Sequence, residues 1–306
     1  MEIELAEGTF RAFGSDCRVV SDLPAGRLHQ LVERADDLER RWSRFRPESE
    51  VSRCNAARGR AVPVSSATVD LFERANAAAV RTGGRFNPLL LGDLVALGYD
   101  RDHRDLTPAA APPVLGSGPA VVDRRIETVE IGAEGVRIPA HAAFDPGGLG
   151  KGLAADILLA DLLEDGAQWA YVSLGGDMRF GGDALAAQGT PVAIENPWSP
   201  GDAVGDVTVF GGAVASSSLL RRTWQAADGT VHHHLLDPTT RRPVRGTRVA
   251  ATVHARDAWW ADVVAKCCLI DDDLGADQII EWGCVGLAFT TDRTLEPLGW
   301  TGPGED

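Results

Sequence analysis

Cysteine is scarce in this chain and poorly placed for pairing. The five present (Cys17, Cys54, Cys267, Cys268 and Cys284) are odd in number, widely spaced and include no Cys-x-x-Cys. That argues against a disulfide scaffold or a thiolate zinc site and fits a reduced compartment, with Cys267 and Cys268 expected to pack as small hydrophobes. Positive charge is also short. With 30 Lys and Arg against 44 Asp and Glu, the net charge is −14, which argues against a nucleic-acid partner or an anionic membrane surface. Any polyanionic ligand therefore needs a locally cationic or metal-loaded site. No apolar run approaches the roughly 20 residues of a membrane span, so no membrane insertion is expected. The opening residues Met1 to Glu7 lack the basic and apolar regions of a secretory signal, and a cytoplasmic location is the expectation. No internal repeat is visible.

What remains is an ordinary globular composition, 44% hydrophobic and 24% charged. Periodicity predicts an amphipathic helix over 26–44, with Leu28, Leu31, Val32, Ala35, Leu38 and Trp42 on one face, and a second over 66–82 ending at Gly83-Gly84. Residues 104–120 are rich in proline, alanine and glycine and read as a surface loop. A hairpin is expected at 129–131 and 136–138, strands at 171–174, 191–195, 206–210, 249–254 and 285–289, and a helix over 258–270 capped by Asp257. This mixture of hairpins and helices predicts the α+β class, with β-sheets packed against helices in one domain spanning 1–306.

The densest chemical signal is Ala143-Phe144-Asp145-Pro146-Gly147-Gly148-Leu149-Gly150-Lys151-Gly152-Leu153-Ala154-Ala155-Asp156. Asp145 ends an apolar segment that reads as a strand. Four glycines permit tight turns or close backbone approach, and Lys151 sits among them. From Leu153 the spacing of Leu153, Ile157, Leu158 and Leu162 is helical, with Gly166 as the stop. A glycine-rich loop with a lysine at a helix start suits an anion such as a phosphate ester. The two familiar phosphate loops do not fit. Asp145 stands where a Walker A loop has its first glycine and Gly152 follows the lysine, while Leu153 breaks Gly-x-Gly-x-x-Gly. A plain glycine turn with a lysine at the cap remains the other reading.

His232-His233-His234 precede Leu235-Leu236-Asp237-Pro238. Adjacent side chains of an extended strand alternate faces, so three in a row do not make a metal site by themselves. One of them could act as a base near neutrality, or the run could be an exposed turn. Asp262 and Lys266 lie one helical turn apart, as a surface ion pair or as a carboxylate placed to hold a hard cation. Gly175-Gly176-Asp177 follows a strand, as a turn or as a close approach to a ligand.

Taken in order, these segments resemble the ApbE family, the FAD:protein FMN transferases. The matching residues are Phe13-Gly14-Ser15, Ser43-Arg44-Phe45, Ser49-Glu50-Val51-Ser52-Arg53-Cys54-Asn55 and Gly84-Arg85-Phe86-Asn87-Pro88. They continue with Asp145 to Asp156, Ser173-Leu174-Gly175-Gly176-Asp177, Ser216-Ser217-Ser218, His234 to Thr240, and Ala261-Asp262 with Lys266. The resemblance covers roughly residues 8–290. It implies FAD as donor substrate, Mg²⁺ as cofactor, and transfer of FMN to a threonine of a target protein with release of AMP. It further implies His234 as the base. Asp145, Lys151, Asp177 and Leu235 would lie against FAD, and Phe13, Phe45, Arg85, Phe86 and Asn87 around the flavin. A metal would sit between the Gly148 carbonyl, Asp262 and position 266.

The family has threonine at that last position. A protonated lysine has only donors and cannot ligate Mg²⁺. Mg²⁺ with fewer protein ligands, an ammonium in its place, or loss of turnover in a protein that only binds FAD are the three outcomes open. Pro146, Asn87, Ser173 and Ser218 are milder departures, from leucine, aspartate, asparagine and glycine. An FAD pyrophosphatase releasing FMN and AMP is a further alternative.

Overall fold

The computed structural model describes residues 4–109, 113, 126–226 and 228–300. Its centre is an eight-stranded, wholly antiparallel sheet: β1 (Ala6–Ala12), β2 (Ser15–Ser21), β3 (Ala170–Leu174), β4 (Asp177–Gly181), β5 (Gly212–Ser218), β6 (Arg248–Ala255), β7 (Val285–Thr290) and β8 (Leu295–Leu298). The strands lie side by side in chain order. Helices enter as insertions between neighbours, which keeps β-strand pairing local apart from the long excursion between β2 and β3.

The described residues form eight α-helices: α1 (Ala25–Trp42), α2 (Glu50–Ala56), α3 (Ser66–Arg81), α4 (Leu91–Ala96), α5 (Gly150–Glu164), α6 (Asp183–Gln188), α7 (Ala258–Ile270) and α8 (Ala276–Glu281). α5 packs on β3 and β4, α7 packs on β5 and β6, and the two helices pack on each other. α1 has one apolar stripe, burying Leu28, Leu31, Ala35, Leu38 and Trp42 with Val32 at its margin. α7 is buried all round, from Ala258 to Leu269. The main core joins these helices and includes Phe72 and Phe144, whose ring centroids lie 4.5 Å apart. The opposite face of the sheet carries Trp169, Tyr171 and Phe180, covered by a hairpin of Thr190–Glu195 with Ala203–Val209.

The other sequence-based elements are present within a residue or three, including the hairpin Glu130–Gly132 with Gly135–Arg137, but the strand expected to end at Asp145 does not form: Ala143 makes only an isolated bridge to Leu90. The start of α5 differs: it opens at Gly150, so Gly150 and Gly152 are helical rather than part of a loop. The cap of α7 differs too. The Asp257 side chain makes no capping bond; Asp156 of α5 accepts the Ala258 and Trp259 N–H groups instead, at 2.9 Å each. Burial outweighs these bonds and pushes the Asp156 carboxyl up to about 6. Of the expected loop at 104–120, residues 110–112 and 114–120 lie outside the described residues, and its start forms a short 3₁₀ turn, His103–Asp105.

Candidate functional site

A cavity of about 430 Å³ opens where α1, the start of α5, the end of α7 and the histidine loop meet. The expected residues Phe13, Phe45, Phe86, Asn87, Asp145, Gly148, Lys151, His234, Leu235 and Lys266 all line it. Asp177 and Asp262 stand behind the two lysines. Arg85 is elsewhere: its Nε donates to Asp271 at 2.7 Å and its guanidinium lies over Trp282.

None of the four glycines around Lys151 has a positive φ; turns do not explain them. Space does, at two positions. A Cβ at Gly148 would stand 2.5 Å from the Phe86 ring, and one at Gly152 would stand 2.4 Å from the Ala258 carbonyl. Gly152 therefore lets α5 and α7 cross in contact. Asp145 turns the preceding chain, accepting the Gly147 N–H at 3.0 Å. The N-terminus of the 15-residue α5 then faces the cavity with Lys151 in its first turn, a setting that favours an anion.

The crossing of α5 and α7 brings two buried ion pairs together. Lys151 Nζ donates to Asp177, the first residue of β4 after the Gly175-Gly176 turn. Lys266 Nζ donates to the Asp262 carboxylate and, at 3.3 Å, to the Asp262 carbonyl. Both aspartates are 1% exposed. Burial, then the nearby Asp262 charge, raises the Asp177 carboxyl despite both lysines. Burial opposes the Lys151 ammonium, but the Asp177 and Asp262 carboxylates outweigh it and hold the proton on the lysine. Both directions follow from placing two carboxylates close together out of water, and Lys151 remains cationic.

The three histidines separate into distinct roles. His233 is buried: Nδ1 accepts the Leu235 N–H at 3.3 Å, so Nε2 carries the proton and donates to the Val244 carbonyl at 2.9 Å. Burial pushes it down to about 4. It anchors the loop whose next residue, His234, reaches the cavity. Burial lowers the His234 pKa far below the ordinary histidine range, and the Arg222, Lys266 and Lys151 charges add to that. His234 is a neutral imidazole whose buried Nδ1 has no partner among the described residues.

Two arginines escaped the sequence reading as site residues. Arg44 lies over the rings of Phe45 and Tyr99 at 4.3 and 4.5 Å, donates to the Tyr99 carbonyl at 2.9 Å, and leaves a buried Nη2 unpartnered among the described residues. Arg222 lines the cavity from a left-handed backbone, φ 48°. Phe13 is likewise left-handed, φ 53°, in the two-residue turn between β1 and β2. Such strain in bulky residues clusters at ligand clamps, but nothing in sequence flags it.

Mg²⁺ fails a test of fit here. Of the three ligand positions expected, Lys266 offers donors only. One oxygen of Asp262 is taken by that ammonium, leaving Oδ2 unpartnered among the described residues. Those residues contain no group of three or more His, Cys, Asp or Glu that could hold a metal ion. What the cleft does present is lysines, arginines, aromatic rings and a neutral histidine, a setting for an anionic ligand bearing flat rings.

The fold and cleft define an α+β protein with a cationic, aromatic-lined binding cleft. The ApbE family model matches residues 13–283, and the chain belongs to the ApbE family. It is 32% identical over 263 residues to the FAD:protein FMN transferase of Salmonella typhimurium, covering 81% of this chain and 71% of that protein. With the enzyme of the same name from Treponema pallidum it shares 30% identity over 279 residues, 83% of this chain and 74% of that one. The fold is also that of the ApbE protein from Thermotoga maritima: the TM-score is 0.79 at 23% identity, covering 96% of this chain and 97% of the other.

Proposed function

We propose that this chain is an FAD:protein FMN transferase, working as one ApbE-like domain on FAD and on a target protein with an acceptor threonine. The observation that carries the reading is His234: a neutral imidazole with an unpartnered ring nitrogen, held in the same cleft as Lys151 and the N-terminus of α5. Lys151 and the helix N-terminus would receive the FAD pyrophosphate, and Phe13, Phe45 and Phe86 its rings. The threonine hydroxyl then attacks the phosphorus on the FMN side. A threonine Oγ–P bond forms, the P–O bond to the bridging oxygen breaks, and AMP leaves with that oxygen. His234 takes the hydroxyl proton. No step passes through Mg²⁺. A cytoplasmic setting belongs to the same proposal; all five cysteines are buried, none in a disulfide.

The test is incubation of the protein with FAD and an acceptor flavoprotein of the Salmonella typhimurium relative, followed by mass spectrometry and nucleotide analysis. Flavin fixed to the acceptor with one AMP released per flavin is expected. AMP with free FMN would identify a pyrophosphatase instead, and bound FAD that stays intact would identify a binding protein without turnover.

A further inference from the structure

We infer that the ammonium of Lys266 takes the place of a divalent cation in this chain, so that FAD is held without one. The inference rests on the cleft being an FAD site. An ammonium has three donors. Two of those of Lys266 are used inside its own helix, on the carboxylate and the carbonyl of Asp262. The side chain nonetheless lines the cavity, although it is only 6% exposed, which leaves donor capacity for an anion in the cleft. Asp262 serves as its anchor. Lys151 and Asp177 form the matching pair from α5 and β4, so two fixed ammonium groups face the same space, each backed by a buried carboxylate. A divalent ion on the remaining oxygen of Asp262 would sit against the Lys266 charge in a site of low dielectric, where like charges repel strongly.

A hydroxyl at position 266 would reverse that logic. It could ligate a hard cation together with Asp262, and the ammonium would be gone. The two arrangements make opposite demands on metal, which makes the inference testable by binding alone.

The experiment is titration of FAD into the full chain, read by flavin fluorescence, in EDTA and in MgCl₂. For the wild type, equal affinity in both buffers is expected. Lys266→Thr should bind FAD about tenfold or more weakly in EDTA and recover in MgCl₂; Lys266→Arg, which keeps the cation, should remain indifferent to the metal. Mn²⁺ titrated into the wild-type protein with FAD bound should give no protein-bound signal by electron paramagnetic resonance. Wild-type FAD binding that collapses in EDTA and returns with Mg²⁺, or stoichiometric binding of Mn²⁺, overturns the inference even if the Lys266 variants fail to fold. A wild type that binds no FAD in either buffer instead overturns the functional reading on which it rests. Binding that is indifferent to metal in a protein that transfers nothing leaves Lys266 as the cation and refutes only the transfer.

Discussion

Asp156 caps the helix in which Trp259 is the second residue: its Oδ2 accepts the Trp259 N–H at 2.9 Å, while Oδ1 accepts that of Ala258 and holds Arg179 Nε at 2.8 Å. One carboxylate of α5 thus fixes the start of α7, and with it the height at which Asp262 and Lys266 meet Lys151. Asp156→Ala leaves two N–H groups and a guanidinium without that partner. The expected loss is about 2–4 kcal/mol of stability, measured by urea unfolding, with weakened FAD binding in the fraction that stays folded.

Gly152→Ala tests the crossing from the other side. The new Cβ would lie 2.4 Å from the Ala258 carbonyl, a backbone atom that cannot swing aside. We expect about 1–3 kcal/mol of destabilisation, against the small gain that alanine brings to an ordinary helix interior. Unchanged or raised stability would show that the helices have room to part.

These two residues show how far the sequence could be read. Helix and strand spacing is a local property, so α1, α3, α7 and most strands were visible from periodicity, and the glycine-rich segment drew attention as an anion site. The reason for its glycines was not visible: Gly148 and Gly152 answer to Phe86 and Ala258, distant in the chain. Adjacency points to Asp257 as the α7 cap, whereas the carboxylate that fills the role, Asp156, is 102 residues from Ala258. Arg85 shares a motif with Phe86 but pairs with Asp271, away from the cleft. Arg44 and Arg222 matter through ring stacking and an unusual backbone, neither of which leaves a periodic trace.

Phe13 separates stability from binding. Its left-handed backbone costs on the order of 1 kcal/mol in a bulky residue, while its ring packs near Trp42 at a centroid distance of 6.4 Å. In Phe13→Asn the relief of strain offsets part of the lost packing, since asparagine accepts that backbone. The melting temperature should change little while FAD affinity falls about tenfold through loss of the aromatic face. Calorimetry and fluorescence titration on the same preparation check both halves.

His233 sets a pH dependence of definite sign. Its folded value, about 4, lies below the ordinary 6.5. Its contribution is therefore complete above pH 6.5 and is lost as the pH falls toward 4, by about 3 kcal/mol. Asp156 acts in the opposite sense: raised to about 6, it costs the folded state as it ionises with rising pH. The informative quantity is the difference between wild type and His233→Gln, measured by urea unfolding at pH 7 and pH 4.5. The advantage of the wild type should shrink on acidification; a constant advantage would contradict the assignment.

The transfer itself turns on His234. The decisive measurement is a side-by-side determination of FAD affinity and of the rate of covalent FMN transfer for wild type and His234→Gln. If His234 takes the threonine proton, transfer falls by about 10²–10⁴-fold while FAD affinity stays within a few-fold of wild type. Transfer by His234→Gln at the wild-type rate would contradict it.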